Sequence, residues 1–205
     1  MTRKYTVDIS SYDTFRKATF GKLYDVDDAF GHQCWDAAAL LWIQLTPPRR
    51  LSSGGTGSAR GCWEVLSARN TNAGAEFELI TDVTKIKRGD IIVFGRGLGQ
   101  HGHIGFADED YKTPSISTYS QNQGGTNGVG QAAAFSVRAY RSDALIGAFR
   151  FKTWQTQRQV RYRIVAFDLA TGRERAEKAL ESVQRAGFNG AFIEEYITPA
   201  ITQSI

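Results

Sequence analysis

The run "CWDAAALLWIQLTPP", which begins at Cys34, constrains the fold more than any other part of the chain. The positions that share one face at helical spacing are Cys34, Ala38, Leu41 and Leu45. The two prolines that follow end the helix, because proline can neither donate to nor fit inside a helical turn. The run therefore predicts an apolar helix with a cysteine in its first turn, against which the rest of the core must pack.

Beyond this helix the sequence changes to short, strand-like runs separated by glycine-rich turns. The clearest strands are Ile91–Phe94 and His103–Ala107, and further strands are predicted in "SISTYSQN", "AAAFSVRAYR" and "LIGAFRFK". Earlier in the chain, a short helix is predicted over residues 11–19 and a second one in "CWEVLSARN". Helices first and an antiparallel meander afterwards is an α+β layout. We expect the helices to pack on the sheet.

A change in composition after Trp154 predicts a second, smaller unit. An alternating strand from Val160 to Ile164, a helix ending at Gly187 and the strand "NGAFIEEYI" form a β-α-β unit over residues 158–198. We therefore divide the chain into residues 1–154 and residues 158–205. About 40 residues are too few to bury a stable core alone. The small unit is expected to bind a second copy of the chain or another surface, and self-association is the favoured outcome.

Composition and charge exclude several classes of function. The chain has 205 residues, 41% of them apolar, which suits one domain with a small appendage. The net charge of +4 favours anionic surroundings, but no run of five or six like charges indicates nucleic-acid binding. No stretch of about 18 apolar residues predicts membrane insertion. The N-terminus lacks the apolar core of a signal peptide, so we expect synthesis in a cytoplasm.

A cysteine and a histidine are the strongest candidates for catalysis. Backbone N–H groups at the start of a helix stabilise a thiolate, which would make Cys34 a nucleophile; the alternative is a buried structural cysteine. Of the three histidines, His103 opens a predicted strand and has a fixed direction, whereas His101 lies in a turn and His32 in an acidic loop. His103 could equally be an ordinary half-buried strand residue. Both Cys34 and Cys62 are expected to be free thiols.

The segment "YSQN" follows on the next strand and offers a third group. A cysteine–histidine pair works better when an amide or carboxylate fixes the imidazole tautomer. Asn122, Gln121 and Ser120 are candidates for that role. The alternative is that these residues are only the polar end of a strand.

Three short motifs follow one another in the chain: Q-C-x-D, then G-D-I-I-V-F with G-H-I-G, then S-Q-N. Together and in this order they resemble the CHAP family of cysteine, histidine-dependent amidohydrolases and peptidases, in particular those of phage endolysins. The resemblance spans about residues 11–154 and implies a papain-like α+β fold. By this match Cys34 is the nucleophile, His103 the general base and Asn122 the residue that orients the imidazole, while Gln33 helps to stabilise the oxyanion. Many relatives have a glutamate where this chain has Ser120, which leaves the third residue open.

The stretch "DVDDAFGHQCWD" resembles the D-x-D loop of calcium-binding phage CHAP domains. Calcium takes six to eight oxygen ligands. By the match, Asp25, Asp27 and Asp36 supply carboxylates, and Ala29 and Gly31 supply backbone carbonyls for a structural calcium ion. The alternative is a solvated acidic loop.

The resemblance implies a peptidoglycan hydrolase that cleaves amide bonds of the wall peptide. It leaves open whether the enzyme is an N-acetylmuramoyl-L-alanine amidase or a cross-bridge endopeptidase. Peptidoglycan would be the partner, reached after release from the host cytoplasm. The small C-terminal unit weakly resembles half of a SPOR-type wall-binding repeat. Two alternatives are a non-catalytic wall-binding protein with a CHAP-like fold and a cysteine protease that acts on proteins.

Overall fold

A six-stranded antiparallel sheet with helices packed on it makes up the part of the chain that the structure, a computed structural model, describes: residues 4–123 and 134–154. The α+β class predicted from the sequence is confirmed. The small unit over residues 158–205 lies outside the described residues. Its β-α-β structure, wall binding and self-association therefore stay predictions.

The helices are α1 (Tyr12–Thr19), α2 (Cys34–Gln44), α3 (Gly61–Glu64) and α4 (Leu66–Ala73). The predicted helix in "CWEVLSARN" is in fact two helices, since Val65 adopts extended backbone (φ −81°, ψ 108°) and interrupts the helical hydrogen bonding. Within the described ranges, every helix is too short or too polar to span a membrane.

The strands are β1 (Phe77–Ile80), β2 (Ile91–Phe94), β3 (His103–Ala107), β4 (Ser115–Ser120), β5 (Ser136–Arg141) and β6 (Leu145–Phe151). β2 and β3 have the predicted bounds, but β1 was missed because four residues carry too little pattern. The predicted simple meander is wrong: the sheet order is β1-β6-β2-β3-β4-β5, so β6 crosses back to lie between β1 and β2.

Helix α2 is buried on nearly all sides, not on one face as its apolar stripe predicts. Residues 36–44 are all buried. One side packs on β3, while Gln44 accepts a hydrogen bond from the Val7 backbone on another. The Trp42 ring stacks on Phe77 at 4.4 Å between centroids, and its Nε1 donates to Asn72 O. An all-round apolar helix is typical of a core element.

The central strands of the sheet are buried on both faces. Residues of β2, β3 and β6 that point toward α2 form one core with the helices; those pointing the other way form a second core that includes Ile92, Phe94, Ile116, Leu145 and Ala148. All four residues of β2 are buried for this reason. Side chains at the ends of these strands consequently have rigid support from both sides.

Leu41→Ala should lower the free energy of unfolding by about 2–5 kcal/mol, because the side chain is fully buried and its removal leaves a cavity. Leu66→Ala is the matched control, since Leu66 is also helical but 58% exposed. It should change stability by less than about 0.5 kcal/mol. Urea denaturation of both variants checks this; equal losses would contradict the assigned burial of α2.

Candidate active site

The start of α2 is held by a buried carboxylate. Gln33 is the N-cap residue with extended backbone (φ −92°, ψ 165°), and Cys34 is the first helical residue. Asp36, only 1% exposed, accepts hydrogen bonds from the Gln33 N–H and from the Val26 N–H, both at 2.8 Å. The second of these bonds ties the helix start to the acidic loop, so Cys34 has a fixed position relative to both.

The Cys34 thiol is half-buried and lies against the first residues of β3. Burial raises its pKa to about 11, although hydrogen bonds from the backbone of Ile104 and Trp35 act in the opposite direction. The sequence predicted a thiolate stabilised by the helix start. The structure gives the opposite direction, because desolvation of the sulfur outweighs the nearby N–H groups.

His103 is the first residue of β3, directly before Ile104, and is 6% exposed. Its ring lies 6.1 Å from the Phe94 ring and 5.0 Å from the Tyr140 ring, measured between centroids. Burial, with a contribution from the charge of Arg138, lowers its pKa to about 4. Its Nε2 atom is buried without a hydrogen-bond partner among the described residues.

Cys34 and His103 thus come to the same end of the sheet, because the thiol contacts the backbone of the residue that follows the histidine. At neutral pH both groups carry no charge in this arrangement, given a thiol pKa near 11 and an imidazole pKa near 4. His101 lies in the exposed turn before β3 and bonds to Gln100 at 2.9 Å, as a turn residue should. The catalytic roles of Cys34 and His103 stay predictions.

Asn122 follows β4 and has a left-handed backbone (φ 54°). It comes two residues after the end of β4, which pairs with β3, the strand that begins at His103. Its Nδ2 donates to Gln33 Oε1 at 2.9 Å, and Gln33 Nε2 donates to a loop carbonyl at 2.7 Å. The structure therefore brings together the side-chain amides of Gln33 and Asn122, the two that were predicted to assist catalysis.

Ser120 and Gln121, the other two candidates for orienting the imidazole, are engaged elsewhere. The Ser120 hydroxyl donates to Ile104 O at 2.9 Å. The Gln121 amide bonds to both backbone groups of Tyr24 and donates to Gln33 O at 2.8 Å. Gln121 thereby joins the acidic loop, the start of α2 and the end of β4.

Three of the predicted metal ligands form a cluster. One carboxylate oxygen each from Asp25, Asp27 and Asp36 lies within 4.8 Å of the others. Burial raises the pKa of Asp36 to about 6, and the negative charges of Asp27 and Asp25 add to the rise. Ala29 and Gly31 lie in the loop between these aspartates, and their part as carbonyl ligands stays a prediction.

The remaining contacts of the loop bear on whether a cation fits. Asp25 Oδ1 is buried and has no hydrogen-bond partner in the described part of the chain. Asp27 is 3.7 Å from Arg50, a long ion pair, whereas Asp28 turns away and pairs with Lys4. Clustered carboxylates with an unpaired buried oxygen are a donor set that suits a hard divalent cation.

Two residues at this site were missed by sequence reasoning. Tyr140 on β5 contacts the His103 ring; burial raises its pKa to about 12, with Arg138 opposing the rise and Cys34 adding to it. Arg138, two residues earlier on the same strand, lies over the Tyr140 ring at 5.7 Å. No motif marks either residue, because their approach depends on the pairing of β5 with β4.

No family model matches the chain, but one curated protein and one solved structure show informative similarity to it. Over 122 residues the chain is 30% identical to the D-alanyl-L-alanine endopeptidase of Streptococcus phage B30. This stretch is 58% of the present chain but 26% of the phage protein, so the chain spans about a quarter of that relative.

The second similarity is structural. The crystal structure of the wild-type endolysin LysIME-EF1 matches with a TM-score of 0.54 at 22% identity, covering 71% of this chain and 64% of that one. The two proteins share a fold. The papain-like α+β architecture expected for the chain agrees with this likeness to an endolysin.

The buried imidazole makes stability depend on pH in a defined direction. Its folded-state pKa near 4 is below the ordinary 6.5, so protonation favours the unfolded chain. The contribution of neutral His103 is intact above pH 6.5 and is lost as the pH falls toward 4.

Between pH 6.5 and 4, wild type should lose roughly 2–4 kcal/mol more unfolding free energy than His103→Phe, which cannot be protonated. Urea denaturation at several pH values measures the difference. Parallel pH profiles for the two proteins would contradict the burial of the imidazole.

Proposed function

We propose that the chain is a peptidoglycan hydrolase of the endolysin type, which cleaves an amide bond of the wall peptide with Cys34 as nucleophile. The observation that carries this proposal is the position of a helix-start cysteine against the backbone beside His103, a buried histidine. The similarity to a phage endopeptidase and to an endolysin structure supports it. Mass spectrometry of products from purified peptidoglycan tests it.

In this mechanism His103 acts as a general base on a neutral thiol. Because the Cys34 pKa is raised and the His103 pKa is lowered, an ion pair does not form before substrate binds. The proton therefore moves to the imidazole as sulfur attacks the carbonyl carbon. The imidazolium then protonates the leaving amine, and the acyl-enzyme thioester remains. Water, deprotonated by His103, attacks the thioester and releases the acid and the thiol.

Two amides would support these steps. Gln33 Nε2 carries two hydrogens, and one of them is bound to Phe30 O, so the other can join the Cys34 backbone N–H in stabilising the oxyanion. Asn122 uses Nδ2 on Gln33, which leaves its Oδ1 as an acceptor for the unpartnered Nε2–H of His103. In this role Asn122 fixes the imidazole tautomer.

The acidic loop would hold calcium in a structural role. Asp25, Asp27 and Asp36 would give carboxylate oxygens, and Ala29 and Gly31 would add backbone carbonyls. The ion would supply positive charge that relieves repulsion among the carboxylates. Since Asp36 also holds the start of α2, this would stabilise the position of Cys34.

The bond that is cut is a finer proposal. The relative named as a D-alanyl-L-alanine endopeptidase favours cross-bridge cleavage over amidase activity. Both cleavages release an N-terminal alanine, so the new carboxyl group distinguishes them. A new C-terminal alanine would support the endopeptidase, and a free lactyl carboxyl on muramic acid would support the amidase.

Two observations favour a second candidate, a wall-binding protein without catalysis. Among the described residues the His103 Nε2 atom has no partner, and the Cys34 thiol is not activated. Alkylation of Cys34 separates the two, because a binding protein would bind walls equally well before and after it, and neither form would lyse them.

Cys34→Ala should abolish hydrolysis, because it removes the nucleophile. It should leave the thermal melt unchanged, because the cysteine is only half-buried. Cys62→Ala is the control: Cys62 is buried and belongs to no predicted catalytic motif, so activity should persist. His103→Ala should reduce the rate on the order of 10²- to 10⁴-fold, and His101→Ala much less. Turbidity loss of purified walls measures all four. Hydrolysis by Cys34→Ala would refute the mechanism.

Calcium should raise the melting temperature and chelation should lower it, with magnesium less effective because it demands a tighter geometry. Asp25→Asn combined with Asp27→Asn should remove the calcium response. Asp28→Asn is the control, since Asp28 pairs with Lys4 instead. Differential scanning calorimetry measures the shifts. A melt that ignores calcium in wild type would favour the solvated-loop alternative.

A further inference from the structure

Arg138 has no carboxylate partner among the described residues, although it lies beside the proposed catalytic pair. The other arginines with described side chains lie within 4.0 Å of an Asp or Glu oxygen, except Arg69, which stacks on Trp63. Residues 124–133, which lead into β5, contain no Asp or Glu. The positive charge of Arg138 is therefore not neutralised by its sequence neighbours or by the described part of the protein.

The side chain is supported in a defined position. Its guanidinium carbon lies over the Tyr140 ring, 5.7 Å from the centroid, and the Tyr140 ring is 5.0 Å from the His103 ring. Stacking on an aromatic face restricts a guanidinium while leaving its N–H edge free to bind. Arg138 is exposed, so a ligand can reach that edge from solvent.

We infer that Arg138, stacked on Tyr140, forms a subsite for a carboxylate of the wall peptide close to the scissile amide. This inference rests on the proposed hydrolase function and names the feature of the substrate that the site recognises. A guanidinium presents two parallel N–H groups that match a carboxylate, whereas a carboxamide offers one acceptor and no negative charge. The subsite therefore selects peptides with an ionised carboxylate over their amidated forms.

The electrostatics at His103 agree with this arrangement. Arg138 is the charged group that lowers the His103 pKa after burial, which means that its charge acts directly on the imidazole. A substrate carboxylate bound to Arg138 would cancel that charge. The imidazolium formed during attack would then experience less electrostatic repulsion, so the recognised substrate would also assist proton transfer.

The test compares hydrolysis of two forms of purified peptidoglycan stripped of phosphate polymers: the native form, and the same material with its carboxylates converted to amides by carbodiimide and ammonia. Wild type should hydrolyse the native form on the order of tenfold faster than the amidated form, or more, because a hydrogen bond to a charged group typically contributes that much. Arg138→Met should be slowed to a similar degree on native material and should show a native-to-amidated ratio near one.

Arg141→Met is the matched control, because Arg141 lies on the same strand, is exposed and pairs with Asp143. It loses the same charge, so it should keep the wild-type ratio if the effect is local and not a general attraction to anionic walls. Thermal melts of both variants should equal wild type, since both side chains are exposed.

Equal ratios for wild type and Arg138→Met would overturn the subsite, and so would a loss of preference in Arg141→Met. If hydrolysis of native material depends on Cys34 but wild type shows no preference, the subsite fails and the hydrolase proposal stands. If wild type hydrolyses neither form, the hydrolase proposal fails, and the subsite fails with it.

Discussion

The buried carboxylate of Asp36 is the interaction on which the proposed site depends. Both of its oxygens accept backbone hydrogen bonds, one from the N-cap residue Gln33 and one from Val26 in the acidic loop. Loss of the bond from Val26 would leave a buried donor unpaired, at a cost of about 1–3 kcal/mol. Because Cys34 directly follows Gln33, the same carboxylate that orders the loop also sets where the sulfur lies. Asp36 belongs to the proposed cation cluster too, so metal binding and nucleophile position share one side chain.

The sequence predicted the elements with strong local signals. The start of α2 at Cys34 and the start of β3 at His103 follow from a helical apolar period and from alternation bounded by glycines. It did not predict that β6 lies between β1 and β2, since strand order depends on contacts between distant residues. For the same reason it missed Tyr140, which reaches His103 although 37 positions separate them in the sequence.

The protonation states of Cys34 and His103 could not be predicted from the sequence. A helix start favours a thiolate, and the backbone N–H groups near Cys34 do act to lower its pKa. Desolvation acts against them, depends on what packs around the sulfur, and here raises the pKa to about 11. His103 shows the same effect with the opposite sign, because burial favours the neutral form of a base and of an acid alike. The acidic cluster, in contrast, could be predicted from a family resemblance, and the three aspartates do converge.

The placement of β6 has a consequence for how the protein is made. Residues 145–151 form a strand that pairs with both β1 and β2, so the sheet has a gap at that position until this segment has left the ribosome. Before then β1 has no partner strand, and the cores on the two faces of the sheet lack Phe149 and Ala148. A nascent chain that ends before residue 145 therefore lacks core side chains on both faces of the sheet that carries His103. Every residue assigned to the proposed active site precedes residue 145 in the sequence. The strand that completes the sheet beneath the site is therefore synthesised last.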